Sequence, residues 1–126
     1  MRLTLPALAA TIVLAAPDAL RAQGAGAGPV AEIVTFRLVP GTDEAAFLDA
    51  ARGTEVAVRA QPGFVARRLS KDEAGLWTDM VEWQSLASAE AAARAVMAEP
   101  AFGPFAAMID MDNLTMRHAP ILFRMD

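Results

Sequence analysis

The sequence contains no cysteine, no tyrosine and a single histidine among its 126 residues, and its basic residues are fewer than its acidic ones. Without cysteine the chain cannot be a disulfide scaffold, and one histidine cannot supply the ligand set of a zinc finger. The 11 Lys and Arg against 15 Asp and Glu give a net charge of -4. A negatively charged surface repels nucleic acid and anionic membrane lipid, so neither is an expected partner.

More than half of the residues have hydrophobic side chains. Hydrophobic residues account for 55% of the chain and charged residues for 21%, which is sufficient to bury a core and disfavours intrinsic disorder. Aromatic residues account for only 6%, so most of the packing falls to small aliphatic side chains. The sequence therefore predicts one compact domain.

Residues 1–23 have the pattern of a secretory signal peptide. A positive start at Arg2 is followed by the apolar run 3–16 and then by small residues around 22–27. A membrane anchor needs about 20 apolar residues, and this run is shorter; a buried N-terminal helix is the remaining alternative. We expect residues 1–23 to be removed on export, residues 24–29 to form a flexible leader, and the domain 30–126 to be periplasmic or secreted.

The domain alternates between strand and helix patterns. Apolar residues with a period of two predict strands, and a spacing of three to four predicts helices. The predicted strands are residues 30–39, 64–70, 76–83 and 113–123. The predicted helices are residues 43–60, with Gly53 as a weak point, a helix capped by Ser85 or Ser88 that ends at Pro100, and a short turn over 102–109. This β-α-β-β-α-β order predicts an α+β, ferredoxin-like fold with a four-stranded antiparallel sheet and two helices on one face.

Several stretches of the sequence resemble the antibiotic biosynthesis monooxygenase superfamily. Within it, the sequence is most similar to a bacterial subgroup with no assigned reaction. They are FRLVPG at 36–41, QPGF at 61–64, WTDMVEWQS at 77–85, and Ile109-Asp110 before a strand that ends in Met116-Arg117-His118. The resemblance implies a dimeric α+β barrel. We therefore expect a homodimer in which the sheet face away from the helices lines a pocket that the partner's sheet closes.

The same resemblance implies where the functional side chains lie. It places Trp83 in the pocket, and strand parity then brings Trp77 and Asp79 to the same face. We expect this face to meet the face of the last strand that carries Met116 and His118. The expected roles are His118 as base, Asp79 as its partner, Trp77 and Trp83 as walls with Met116, and Arg37 or Arg68 as the holder of a developing oxyanion.

The function implied is a cofactor-free monooxygenation of a planar aromatic or quinol-like small molecule, with no metal and no flavin. The alternative is a non-catalytic small-ligand-binding or stress-response dimer of the same fold. Other interpretations also stay open at this point. The Trp pair can be core packing, Asp79 can pair with an Arg across the strand, and Asp110, Asp112 and His118 form at best a weak metal-ligand set. The chain also lacks the Asn and His positions of the haem-degrading members and any Tyr for anthrone oxidation.

Overall fold

The computed structural model describes residues 27–126, so the predicted signal peptide and the first part of the predicted leader lie outside the described residues. Four strands form one antiparallel sheet: β1 (Val30–Phe36), β2 (Phe64–Lys71), β3 (Trp77–Trp83) and β4 (Thr115–Pro120). The helices are α1 (Glu44–Gly53), α2 (Glu55–Arg59), α3 (Leu86–Met97) and α4 (Phe102–Ala107). The strand order is β2-β3-β1-β4. The predicted ferredoxin-like order is confirmed.

The first and last strands of the prediction, residues 30–39 and 113–123, are longer than the corresponding strands in the structure. β1 ends at Phe36, and beyond it Leu38 makes only an isolated bridge with Ile109. β4 starts late because a 3-10 turn occupies Met111–Asn113, and it ends at Pro120. Proline has no N–H to continue a ladder.

The predicted helix 43–60 is divided into α1 and α2 at Thr54. Asp43 caps α1, since its Oδ2 accepts a hydrogen bond of 3.1 Å from the Ala46 N–H. Gly53 is the last residue of α1, and Thr54 is fully buried with its hydroxyl donating to the Ala51 carbonyl at 2.6 Å. The break turns the Thr54 side chain toward the sheet, where it takes part in the site described below.

The connection between α2 and β2, which packs against the start of α3, requires a glycine. Gly63 has a φ of 86°, and a Cβ atom at this position would lie 2.4 Å from the Ser88 Oγ atom. A side chain is therefore excluded on both conformational and steric grounds. Ser85, rather than Ser88, caps α3, because the Ser85 Oγ accepts a hydrogen bond of 3.1 Å from the Ser88 N–H.

The helices cover the sheet face that carries both tryptophans. One core cluster joins Trp83 to Val58 and Ala89, and the other joins Trp77 to Phe47 and Phe105. We expected these strand positions to face away from the helices, and that expectation is wrong. Parity groups residues on a common face, but it does not say which face the helices cover.

The face away from the helices has a mixed character. Ile33 and Met80 pair there and are half-buried next to the pair Thr35 and Thr78, while Arg68 is exposed. At one end the C-terminal segment crosses this face, and Arg124 Nη1 lies 3.0 Å from Glu82 Oε2. The same segment exposes three large apolar side chains, Leu122, Phe123 and Met125. Among residues 27–126 no helix has the length and apolar character to cross a bilayer.

Candidate functional site

A small cavity lies between the sheet and the helices α3 and α4. Its volume is about 190 Å³. Its floor comes from all four strands, and its roof comes from apolar side chains of the two helices, including Ala92, Ala93, Val96, Phe102 and Phe105. Met97, Met111 and Met116 also line it, and each is at least half exposed, so these three flexible side chains form its rim.

A carboxylate interrupts the apolar floor of this cavity. Glu32 lines the cavity from the middle of β1, with only 11% of its side chain exposed. Its neighbour on β4 is His118, whose Nε2 lies 2.9 Å from Glu32 Oε2. Because the two residues are directly paired across the strands, the backbone register itself brings the imidazole and the carboxylate together.

A second polar group in the floor is a closed ion pair. Arg67 on β2 donates from Nε to Asp79 Oδ1 at 2.9 Å and from Nη2 to Asp79 Oδ2 at 2.7 Å. Its Nη1 donates to the Thr54 hydroxyl at 2.7 Å, and its guanidinium lies 5.4 Å from the centre of the Phe105 ring. Both carboxylate oxygens of Asp79 are thus engaged, and the arginine is fixed in one orientation.

Trp83 supplies the one buried side-chain polar atom without a hydrogen-bond partner in the part of the chain that the structure describes. The residue is 3% exposed, and its Nε1–H has no acceptor among the described residues. Trp83 also lines the cavity. A buried indole N–H normally finds an acceptor, so this N–H is a candidate donor to a ligand in the cavity.

The structure brings some of the predicted site residues together and separates others. Asp79, Trp83 and Met116 line the cavity, and His118 is in hydrogen-bond contact with Glu32, which also lines it. Trp77 instead stacks with Phe36 in the core cluster formed with α1 and α4.

Arg37 and Arg68 do not reach the cavity. Arg68 pairs with Met80 in the register, on the face away from the helices. Arg37 lies beyond the end of β1, where its Nη1 donates to the Ala74 carbonyl at 2.6 Å. The arginine in the cavity wall is Arg67, the other member of the Arg-Arg pair.

The expected pairing of His118 with Asp79 is wrong. β1 lies between β3 and β4, so the two residues are two strands apart, a separation of about 9.5 Å between strand axes. Asp79 pairs with Arg67, which is the cross-strand alternative left open by the sequence. The sequence reasoning missed Glu32, Arg67 and Thr54. Glu32 had a readable signal, because it is a charged residue whose period-two neighbours in β1 are all apolar.

A larger recess of about 490 Å³ lies beside the free edge of β2, along α1 and α2. Three of its four charged side chains, Arg52, Glu55 and Arg59, are on the exposed helix surface, and Arg59 already pairs with Glu55 at 2.9 Å. The fourth, Arg67, is engaged by Asp79. The recess contains neither the buried carboxylate nor the unpartnered N–H. We therefore place the candidate site in the smaller cavity.

Within residues 27–126 no group of three or more His, Cys, Asp and Glu side chains is arranged to hold a metal ion. Asp110 has a structural role instead. Its Oδ1 accepts from the Asp112 N–H at 3.2 Å, and its Oδ2 accepts from the Asn113 side-chain amide at 2.6 Å.

Solved structures of similar shape share this architecture. A protein from Bordetella bronchiseptica, described as a candidate antibiotic biosynthesis monooxygenase, superposes with a TM-score of 0.66 at 14% identity, covering 76% of this chain and 99% of its own. A variant of SnoaB, a cofactor-independent oxygenase from Streptomyces nogalater, gives 0.59 at 19% identity, covering 79% of this chain and 97% of SnoaB. A candidate antibiotic biosynthesis monooxygenase from Nitrosomonas europaea gives 0.61 at 16% identity, covering 78% and 93%.

At these identities the likeness establishes the fold, and the chain has the fold of the antibiotic biosynthesis monooxygenase structures. The fold expected from the sequence resemblance is thereby confirmed. No protein-family profile matches the sequence, and the comparison with curated proteins gives no significant match.

Proposed function

We propose that this protein, which has the fold of the antibiotic biosynthesis monooxygenases, binds a small aromatic quinol in the cavity under α3 and oxygenates it without a cofactor. The observation that carries the proposal is the presence of two polar groups in a largely apolar wall whose other charged groups, Arg67 and Asp79, are paired with each other. Trp83 offers an N–H without a partner, and Glu32 offers a carboxylate. A flat apolar molecule with one oxygen acceptor and one O–H donor satisfies both.

The cavity volume narrows the ligand class. An apolar cavity of about 150 Å³ accommodates one benzene ring, and this cavity measures about 190 Å³. A ligand of one ring therefore fits, whereas a second fused ring requires the rim to move. The exposed Met97, Met111 and Met116 can adapt to substituents that extend beyond the rings.

The proposed oxygenation is balanced with the quinol and dioxygen as its only reactants. A naphthoquinol loses its O–H protons and its electrons, dioxygen contributes one oxygen atom to a ring carbon, and the other oxygen atom leaves as water. The ring C–H becomes C–OH, and the quinol becomes a hydroxyquinone, a four-electron oxidation matched by the four-electron reduction of dioxygen. The protein's part is to remove a proton and to stabilise the resulting anion. SnoaB, with the same fold, is a cofactor-independent oxygenase.

Two further proposals concern the oligomeric state of the protein and its location. The uncovered sheet face with Ile33 and Met80, together with the exposed apolar side chains of the C-terminal segment, supports a homodimer formed through that face. The sequence pattern of residues 1–23 supports export, so the dimer acts in the periplasm or outside the cell.

The decisive experiment combines oxygen uptake with mass spectrometry. The purified protein is incubated with 1,4-naphthohydroquinone under ¹⁸O₂, after removal of metals by chelation, and uptake is corrected for spontaneous oxidation. We expect one ¹⁸O atom in a hydroxynaphthoquinone product. Tight binding of 1-naphthol without enzyme-dependent uptake for any one- or two-ring quinol would instead identify a non-catalytic binder.

A further inference from the structure

The Glu32–His118 contact joins the cavity wall to a partly exposed side chain on an edge strand. Glu32 lines the cavity, whereas His118 is not among the described residues that do so. His118 is on the edge strand β4, and 25% of its side chain is exposed, compared with 11% for Glu32. The Nε2 and Oε2 atoms that join the two groups are 2.9 Å apart.

We propose that Glu32 takes the substrate proton, and that His118 is a positioning residue that passes this proton to solvent. The inference rests on the function proposed above, and it exchanges the roles that the sequence alone suggests. A base has to come within hydrogen-bond reach of the proton it removes. Of the two groups, only the Glu32 carboxylate lies in the cavity wall.

Other acids and bases that face the cavity are already engaged. Asp79 accepts two hydrogen bonds from Arg67, one on each carboxylate oxygen, so both oxygens are already occupied by the ion pair. The remaining groups around Glu32 on this face are apolar, with Val34 on one side along β1 and Val81 opposite on β3. Glu32 is thus the base that the cavity offers.

The proton transfer is balanced in two steps. The quinol O–H bond breaks, its electron pair stays on the quinol oxygen, and the proton forms a new bond to a Glu32 carboxylate oxygen. The proton then moves from Oε2 to the unprotonated Nε2 of His118, which forms an imidazolium, and the Nδ1 proton passes to water. Proton exchange of the partly exposed ring with water then restores the starting tautomer, so that Nε2 is free to accept again. Glu32 is again an anion after each cycle, and a water-accessible imidazole is the route by which a proton leaves an apolar cavity.

The first test compares three variants in the ¹⁸O₂ assay. Glu32→Gln should lower turnover at least 100-fold while 1-naphthol still binds within threefold of the parent affinity. His118→Ala should lower turnover about 10-fold or more, and added imidazole should restore it, because the partly exposed site admits a small base. Glu82→Gln changes a buried glutamate on the opposite sheet face and should retain parent turnover.

The reverse pattern overturns the inference and leaves the proposed function intact. In that pattern Glu32→Gln keeps most of the turnover, while His118→Ala loses it and is not restored by imidazole. The inference also fails if imidazole rescues Glu32→Gln as well as it rescues His118→Ala, since the carboxylate would then be replaceable from solvent.

A second test needs no turnover. The absorption of bound 4-nitrophenol, measured at a pH at which the free compound is mostly neutral, reports whether the ligand has lost its proton. The parent protein and Glu82→Gln should bind the phenolate, and Glu32→Gln should bind the neutral phenol. Binding of the neutral form by the parent would overturn the inference. Absence of binding would contradict the ligand class of the proposed function.

Discussion

Arg67 and Asp79 share two hydrogen bonds, of 2.9 and 2.7 Å, across the neighbouring strands β2 and β3. Their side chains are only 15% and 9% exposed. The pair holds Thr54 through a third hydrogen bond and so ties the break between α1 and α2 to the sheet. Because Arg67 occupies both carboxylate oxygens of Asp79, this acid is not available to assist His118 in the way the sequence led us to expect.

The ion pair leads to a prediction for stability. Asp79→Ala leaves the Arg67 charge buried without its partner, and we expect the free energy of unfolding to fall by about 3–5 kcal/mol. Replacing both, with Arg67→Met and Asp79→Leu, should recover most of this loss. Urea denaturation measures both values. Arg52→Ala is the control, since that arginine forms an exposed pair with Asp49 and should change stability by less than about 1 kcal/mol.

The unpartnered N–H of Trp83 predicts a specific loss of ligand affinity. Trp83→Phe keeps an aromatic ring and removes the donor, so the affinity for 1-naphthol should fall about fivefold, the value of one neutral hydrogen bond. Calorimetric titration gives this ratio. Trp77→Phe, in the core cluster outside the cavity wall, should leave the affinity unchanged. Equal losses in the two variants would show that the Trp83 N–H makes no contact with the ligand.

Filling the cavity should abolish binding while the fold is kept. Ala93 lines the cavity from α3, and Ala93→Leu places three more carbon atoms in a volume of about 190 Å³. We expect no detectable 1-naphthol binding and a stability cost of about 1–3 kcal/mol from overpacking. Ala95→Leu adds the same atoms on the exposed side of the helix and should bind normally. Normal binding by Ala93→Leu would place the ligand elsewhere, with the larger recess beside β2 as the next candidate.

The uncovered sheet face predicts the oligomeric state. Light scattering at micromolar concentration should give a dimer for the parent protein. Ile33→Glu with Met80→Glu should give a folded monomer, because two charges in the contact cannot be buried without partners. Val56→Glu, on α2 at a position that is 82% exposed, should remain dimeric. A stable parent monomer would rule out the dimer proposal.

The predicted signal peptide is tested by the mass of the exported protein. Expression of the full sequence in a secreting bacterium should give a periplasmic product that lacks residues 1–23 or a few residues more. Leu8→Arg interrupts the apolar run that export requires and should leave the full-length precursor in the cell. A periplasmic product that retains Met1 would contradict cleavage.

The fold could be obtained from the sequence because its signals are local. The alternation of Val34 and Phe36 in β1, the caps Asp43 and Ser85, and the glycine at position 63 each act within a few residues. These signals fix the order of strands and helices. Element ends were less certain, since the ladder partner, and not the local pattern, ends β1 at Phe36.

The partners within the site were decided by the tertiary structure. Parity correctly grouped Asp79 with Trp83, and Met116 with His118, but two facts were needed in addition: which face the helices cover, and which strand lies between which. With β1 in the centre, Glu32 meets His118 and Asp79 is left to Arg67. Side-chain pairing in a sheet depends on strand order and register, which connect residues far apart in sequence. No local pattern contains that information, so the sequence determined the elements and the packing determined the chemistry they can perform.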